Sequence, residues 1–212
     1  MEKYKIDKIL EFGTISEKID FIDNYNINDN NGNNEFLIQY IKKESLLAKN
    51  EWYKIRLIDF AAQLEIIDYN LINEYILFLK PGNSYFLKLT ILDYIAHMSD
   101  LYNNELIDYS LVNSLLTSKH DRLIVKIQAA LLLTVLYPQK KIYYINLIKK
   151  FLQRSEDYRA HIRLYNFIIV IDVEIPRMDI HDFVEITNRK PLAKYRSVTA
   201  TLNELKCYLN RF

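Results

Sequence analysis

Four histidines, one cysteine and a recurring set of aspartates are the side chains here with the capacity for catalysis or metal binding. His97, His120, His161 and His181 include no two at ligand spacing on one helix. His181 and Glu185 stand four apart and could share a metal ion, but two ligands do not make a site. A solvated i,i+4 pair is the ordinary use of that spacing. Cys207 lies on an apolar-patterned stretch with no histidine near it in sequence, which suits a buried structural thiol. No serine sits in a Gly-x-Ser-x-Gly elbow, and no glycine loop precedes a helix. Asp20, Asp23, Asp59 and Asp93 could converge on a groove and act as acid and base. Their alternative use is as hydrogen-bonding ladder groups between stacked helices. No catalytic set, metal site or cofactor is expected, and the chain reads as a non-enzyme.

The elements that position these groups follow from composition. The chain has 212 residues, half of them hydrophobic, with 3 Gly and 4 Pro. At roughly 7% Gly and 5% Pro a chain of this length would hold several times as many. The shortage counts against turn-rich β folds and phosphate-binding glycine loops. Abundant apolar residues supply a sizeable core. A single Cys207 makes no intrachain disulfide. The first eight residues are charged throughout, and the longest nearly apolar stretch, Ile127 to Tyr137, falls well short of a membrane span of roughly 20 residues. A soluble cytoplasmic protein with no membrane role is the expectation.

Helical periodicity runs through most of the chain. Between Glu51 and Asp68, residues Ile55, Ile58, Ala61 and Leu64 or Ile67 form one stripe. Leu123 to Tyr137 does likewise with Ile127, Ala130, Leu131 and Thr134. Thr14 and Glu17 have capping-box spacing, with Gly13 ending the helix before. Pro81-Gly82, Pro138, Pro176 and Pro191 mark starts or stops. With polar breaks at Ser99-Asp100 and Ser118-Lys119-His120, about ten to twelve helices are expected. The Asn-rich tract 24–34 reads as a surface loop.

A hexad recurs. Lys18-Ile19-Asp20-Phe21-Ile22-Asp23 is followed by Lys54-Ile55-Arg56-Leu57-Ile58-Asp59 and Lys88-Leu89-Thr90-Ile91-Leu92-Asp93. Weaker copies begin at Lys126, His161 and Lys194, giving spacings of 36, 34, 38, 35 and 33 residues. Its second and fifth positions share one helix face and enter the core; its third and sixth form a second, mostly polar stripe. That period suits two antiparallel helices and two short turns, a unit that buries its face only by stacking on copies of itself. The expected fold is all-α: a right-handed α-solenoid of about five to six helix pairs, in a single domain over 1–212.

Two segments carry a family resemblance. Asp121-Arg122-Leu123-Ile124-Val125-Lys126-Ile127-Gln128-Ala129-Ala130-Leu131 and Asp157-Tyr158-Arg159-Ala160-His161-Ile162-Arg163 resemble the second helix of HEAT repeats. There an acidic residue precedes a Val/Ile-Arg/Lys pair and an Ala/Leu-rich run. The repeats here, 33 to 38 residues, are shorter than the roughly 40 to 47 usual for that family. In architecture the chain is also similar to small helical bacterial immunity proteins, which bind a cognate toxin and occlude its active site.

The near-neutral net charge of +1 hides a split. Residues 1 to 108 hold 11 Lys/Arg and 18 Asp/Glu, whereas residues 109 to 212 hold 17 and 9. The acidic half suits a basic protein partner, for which a toxin or nuclease domain is the expectation. Asp20, Asp23, Asp59 and Asp93 are candidate contacts, with Trp52 and Arg56 as anchors. The alternative is nucleic-acid binding by Lys149, Lys150, Arg154, Arg159 and Arg163, interleaved with Tyr143, Tyr144 and Tyr158. Against it, Ile142, Ile145, Ile148 and Leu152 read as a buried face, leaving several lysines of the stretch from Gln139 to Arg154 on an ordinary solvated side. A scaffold in a larger assembly is the third possibility.

Overall fold

A computed structural model describes residues 8–25, 35–99, 101, 104–170 and 175–210. These form helices joined by short turns, with no strand among the described residues. The described part of α1 (8–12) precedes α2 (Ile15–Asp23), α3 (Glu35–Leu47), α4 (Glu51–Gln63), α5 (Tyr69–Leu77) and α6 (Tyr85–Met98). Then come α7 (Ser110–Leu115), α8 (Leu123–Leu136), α9 (Lys141–Arg154), α10 (Tyr158–Val170), α11 (Arg177–Asn188) and α12 (Arg196–Leu209). Of the Asn-rich tract, residues 26–34 lie outside the described residues.

The helix boundaries have local causes. Thr14 caps α2 in a reciprocal capping box: its hydroxyl accepts from the Glu17 amide at 3.3 Å, and its own amide donates to the Glu17 carboxylate at 2.7 Å. Gly13 closes α1, because a Cβ there would stand 2.5 Å from the Ile9 carbonyl oxygen. The stripe expected to continue to Asp68 breaks sooner. Helix α4 ends at Gln63, where Glu65 adopts a φ of +50°. The Ile66 amide reaches back to the Ala61 carbonyl and the Glu65 amide to Ala62, the paired bonds of a Schellman ending. Ile66 is thereby buried and Ile67 turned outward.

The chain divides into two compact units. One comprises Met1–Phe78 with Phe86–Ile107, the other Leu79–Tyr85 with Asp108–Phe212. The first carries 10 basic and 17 acidic residues, a net of −7; the second carries 18 and 10, a net of +8.

In the first unit α4 packs on α2 and α3, and α3 also on α5. Tyr75 and Tyr94 meet edge-on at 5.1 Å, and both hydroxyls are satisfied in the core. Tyr75 donates to the Ser45 hydroxyl at 2.8 Å, and Tyr94 to the Ile66 carbonyl at 2.6 Å. Lys54 donates to the Leu46 carbonyl near the end of α3 and lies over the Phe78 ring. In the second unit α8 packs against α7, α9 and α10, which accounts for its being apolar on nearly every face. Beyond it, α9 packs on α11 and α10 on α12.

The first five hexads fall on alternate helices, α2, α4, α6, α8 and α10, and the sixth begins in the turn before α12 and runs into its first residues. Their apolar positions Ile22, Ile55, Ile58, Leu89, Leu92, Ile127, Ala130, Tyr165 and Val198 are buried, Ile19 and Ile162 are half-buried, and Tyr195 in the last copy is exposed. Two other expectations are corrected. Ile142 is 76% exposed, because the buried stripe of α9 runs through Tyr144, Ile145, Ile148, Phe151 and Leu152. Cys207 is exposed on α12, whose inner face is Val198, Thr201, Leu202 and Leu205.

Candidate functional site

Asp23 of α2 and Arg56 of α4 form the centre of a charged cluster in the first unit. The spacing of Trp52, Arg56 and Asp59 at i, i+4 and i+7 places all three on one side of α4. The opposite side, with Ile55, Leu57, Ile58 and Ala61, is buried. Arg56 Nε donates to Asp23 Oδ1 at 2.9 Å, Nη2 donates to the same oxygen, and Nη1 stands 3.6 Å from Asp59 Oδ2. One guanidinium thus draws together two carboxylates, a geometry its fixed fork allows. Asp20 is exposed one turn before Asp23 on the same face of α2. Trp52, 59% exposed, presents its ring one turn before Arg56. Asp93, half-buried, lies on a different helix, α6. Of the six residues expected from sequence, then, Asp23, Arg56 and Asp59 are in direct contact, and Asp20 and Trp52 share the faces they define.

The five basic residues proposed for nucleic acid scatter over the second unit. Lys149 donates to Asp179 at 2.7 Å and also pairs with Asp182, both on α11. Desolvation pulls its ammonium pKa down, but the two carboxylates outweigh that and hold it above the ordinary lysine value. Lys150 and Arg154 are exposed on α9, and Arg163 is half-buried on α10. Arg159 donates through Nε and Nη2 to the two oxygens of Asp157, at 2.9 and 3.2 Å. Partial burial works to raise the Asp157 carboxyl, and the bonds from Arg159 override it, leaving its pKa below the usual value.

Around Arg159 the structure assembles groups of which the sequence reading singled out only Tyr158. Tyr158 and Tyr195 stack with centroids 5.0 Å apart and planes 25° apart. Arg122 lies over the Tyr85 ring at 4.2 Å. Tyr195 and Arg122 are the N-cap residues of α12 and α8, and the Asp157 carboxylate accepts from the Arg159 amide in the first turn of α10. The available signal was positional: each of these groups sits at the start of a hexad helix.

His181 and Glu185 form the exposed i,i+4 pair read from their spacing, at 3.9 Å. Among the described residues no group of three or more His, Cys, Asp or Glu is placed to hold a metal ion, and no helix is long and apolar enough to cross a membrane. Comparison with protein-family models, with curated proteins and with solved structures returned no match.

Proposed function

We propose that the chain is a non-catalytic, protein-binding module with HEAT-like repeats, and that the exposed face of α4 meets a basic partner. The observation that carries this is Trp52 standing open beside the Arg56–Asp23–Asp59 cluster, on a unit with a net charge of −7. Tryptophan and arginine are the side chains that most often dominate interface energy, and charge complementarity speeds encounter with a basic surface. In its most concrete form the partner is a nuclease-type toxin in the cytoplasm, and the chain is the immunity protein that occludes its active site.

A right-handed α-solenoid is the architecture we assign to the repeats. Two features support it. Three pairs of successive hexad helices pack on one another within a unit, α2 on α4, α8 on α10 and α10 on α12. Ion pairs also join positions one repeat apart: Asp23 with Arg56 and Lys149 with Asp182 across 33 residues, and Glu156 with Lys190 across 34. Repeats that touch only their neighbours produce contacts of this range.

The test is affinity capture from the native cell with two baits, the wild type and a variant combining Trp52→Ala with Asp20→Asn, Asp23→Asn, Asp59→Asn and Asp93→Asn. The expected result is a basic protein held by the wild type and lost by the variant. Association should slow as salt rises. A partner retained equally by both baits overturns the assignment to this face. A captured protein with no toxicity when expressed alone overturns the immunity form of it.

A further inference from the structure

We propose that the start of α8, α10 and α12 forms a surface for single-stranded nucleic acid, independent of the acidic face of the first unit. The surface is built from Tyr85, Arg122, Tyr158, Arg159, Tyr195 and Arg196, all in or at the edge of the +8 unit. Because α10 packs against both α8 and α12, residues far apart in sequence meet here. Tyr158 stacks on Tyr195, the Asp157 carboxylate feels the charges of both Arg159 and Arg122, and Arg122 covers Tyr85.

The arrangement has what such a ligand needs. Tyr158 and Tyr195 are 37% and 52% exposed although they lie against each other, so a short aromatic stack is already formed and remains open to a base. Arg122, Arg159 and Arg196 are all exposed and can track phosphates. The Asp157 carboxylate accepts from the Nε and Nη2 of Arg159 and from its amide, which fixes that side chain near the tyrosines. The neighbouring Glu156 is taken up by Lys190 at 2.8 Å. Arg159 binds the Asp157 carboxylate, Arg122 is close enough to act on it, and Arg196 follows Tyr195 directly in the chain. An acidic protein would need the guanidinium groups but not the tyrosine stack, and duplex DNA keeps its bases stacked on one another. Tyrosine faces between arginines favour a single strand.

The test is fluorescence anisotropy of a fluorescein-labelled oligothymidylate titrated with the full chain over a salt series. The wild type should bind, with affinity falling linearly in log–log form as salt rises. Tyr158→Ala with Tyr195→Ala should weaken binding about tenfold or more at each salt concentration, and the double Phe variant should restore it. Arg122→Gln, Arg159→Gln and Arg196→Gln together should flatten the salt slope by about two units. No binding by the wild type at low salt overturns the proposal. So does binding that the double Ala variant leaves unchanged, or equal competition by duplex DNA or polyglutamate, which would mark a general anion surface. If a variant fails to fold by circular dichroism, amide shifts of the wild type with the same oligonucleotide decide. Shifts centred on 157–159 and 195–197 support the proposal, and shifts elsewhere overturn it.

Discussion

Arg56 donates through two of its guanidinium nitrogens to a single oxygen of Asp23, a residue 33 positions earlier on another helix. Both side chains remain partly open to solvent, which limits what the pair contributes to folding. Arg56→Ala should therefore lower stability by less than about 1 kcal/mol in urea unfolding. Partner binding should suffer far more, by tenfold or greater in titration calorimetry, if the proposed interface is correct. Comparable losses in both measurements would make Arg56 a structural residue only.

Asp68 has two roles: its carboxylate caps α5 by accepting from the Asn70 and Leu71 amides, and it pairs with Lys42 at 2.9 Å. The hydrogen bond from Lys42 holds its pKa below the ordinary aspartate value. A depressed carboxylate contributes stability above its unfolded pKa and loses it as pH falls through the folded one. Asp68→Ala should cost about 1 to 2 kcal/mol at neutral pH. Asp68→Asn should recover most of that, since an amide oxygen still caps. A thermal-melt series on the two variants from neutral to acid pH checks both statements.

Glu65 occupies the left-handed position of the Schellman ending, where glycine carries no Cβ penalty. Glu65→Gly should raise the urea midpoint, by up to about 1 kcal/mol in stability. An unchanged or lowered midpoint would show that the backbone there bears no strain.

His161 is enclosed in the second unit, with Nδ1 2.8 Å from the Thr187 hydroxyl and Nε2 3.4 Å from the Ser155 carbonyl. Burial depresses its pKa below 6.5; Lys190 acts in the same direction, while the Ser155 carbonyl, Glu156 and Asp157 oppose it. The unfolded chain then binds the proton more readily than the folded one. Stability should fall as pH drops from about 6.5 toward the depressed value. His161→Asn should remove that part of the pH dependence, seen as the difference between the urea midpoints of wild type and variant across pH 5 to 7.

Cys207, exposed on α12, should react with a thiol reagent in native buffer as fast as in denaturant. Slow native labelling would mean the thiol is covered.

What the sequence disclosed depended on how local the cause was. The capping box at Thr14 and Glu17 needs only its own four residues, and it forms as expected. Helix α8 was recognisable because an unbroken apolar run leaves few alternatives, whereas the end of α4 was not, since Glu65 is neither Gly nor Pro. Ile142 and Cys207 were misjudged for a shared reason. Each sits near the end of an amphipathic helix, where a shift of the buried stripe by one position turns a side chain outward. The acidic candidates were identifiable as a charge pattern, but the joining of Asp23 and Asp59 by Arg56 depends on how α2 packs on α4, which spacing along one helix does not encode.

The ties between Asp23 and Arg56, Lys149 and Asp182, and Glu156 and Lys190 bear on how such a chain changes length over evolution. Donor and acceptor stand 33 or 34 residues apart, so a stretch of that length holds one member of a tie and leaves the other just outside it. Gain or loss of a few residues between the two members would turn one of them around its helix and part the pair, while ties elsewhere in the chain would keep their spacing. Each tie therefore selects against small insertions and deletions only in the stretch that it spans.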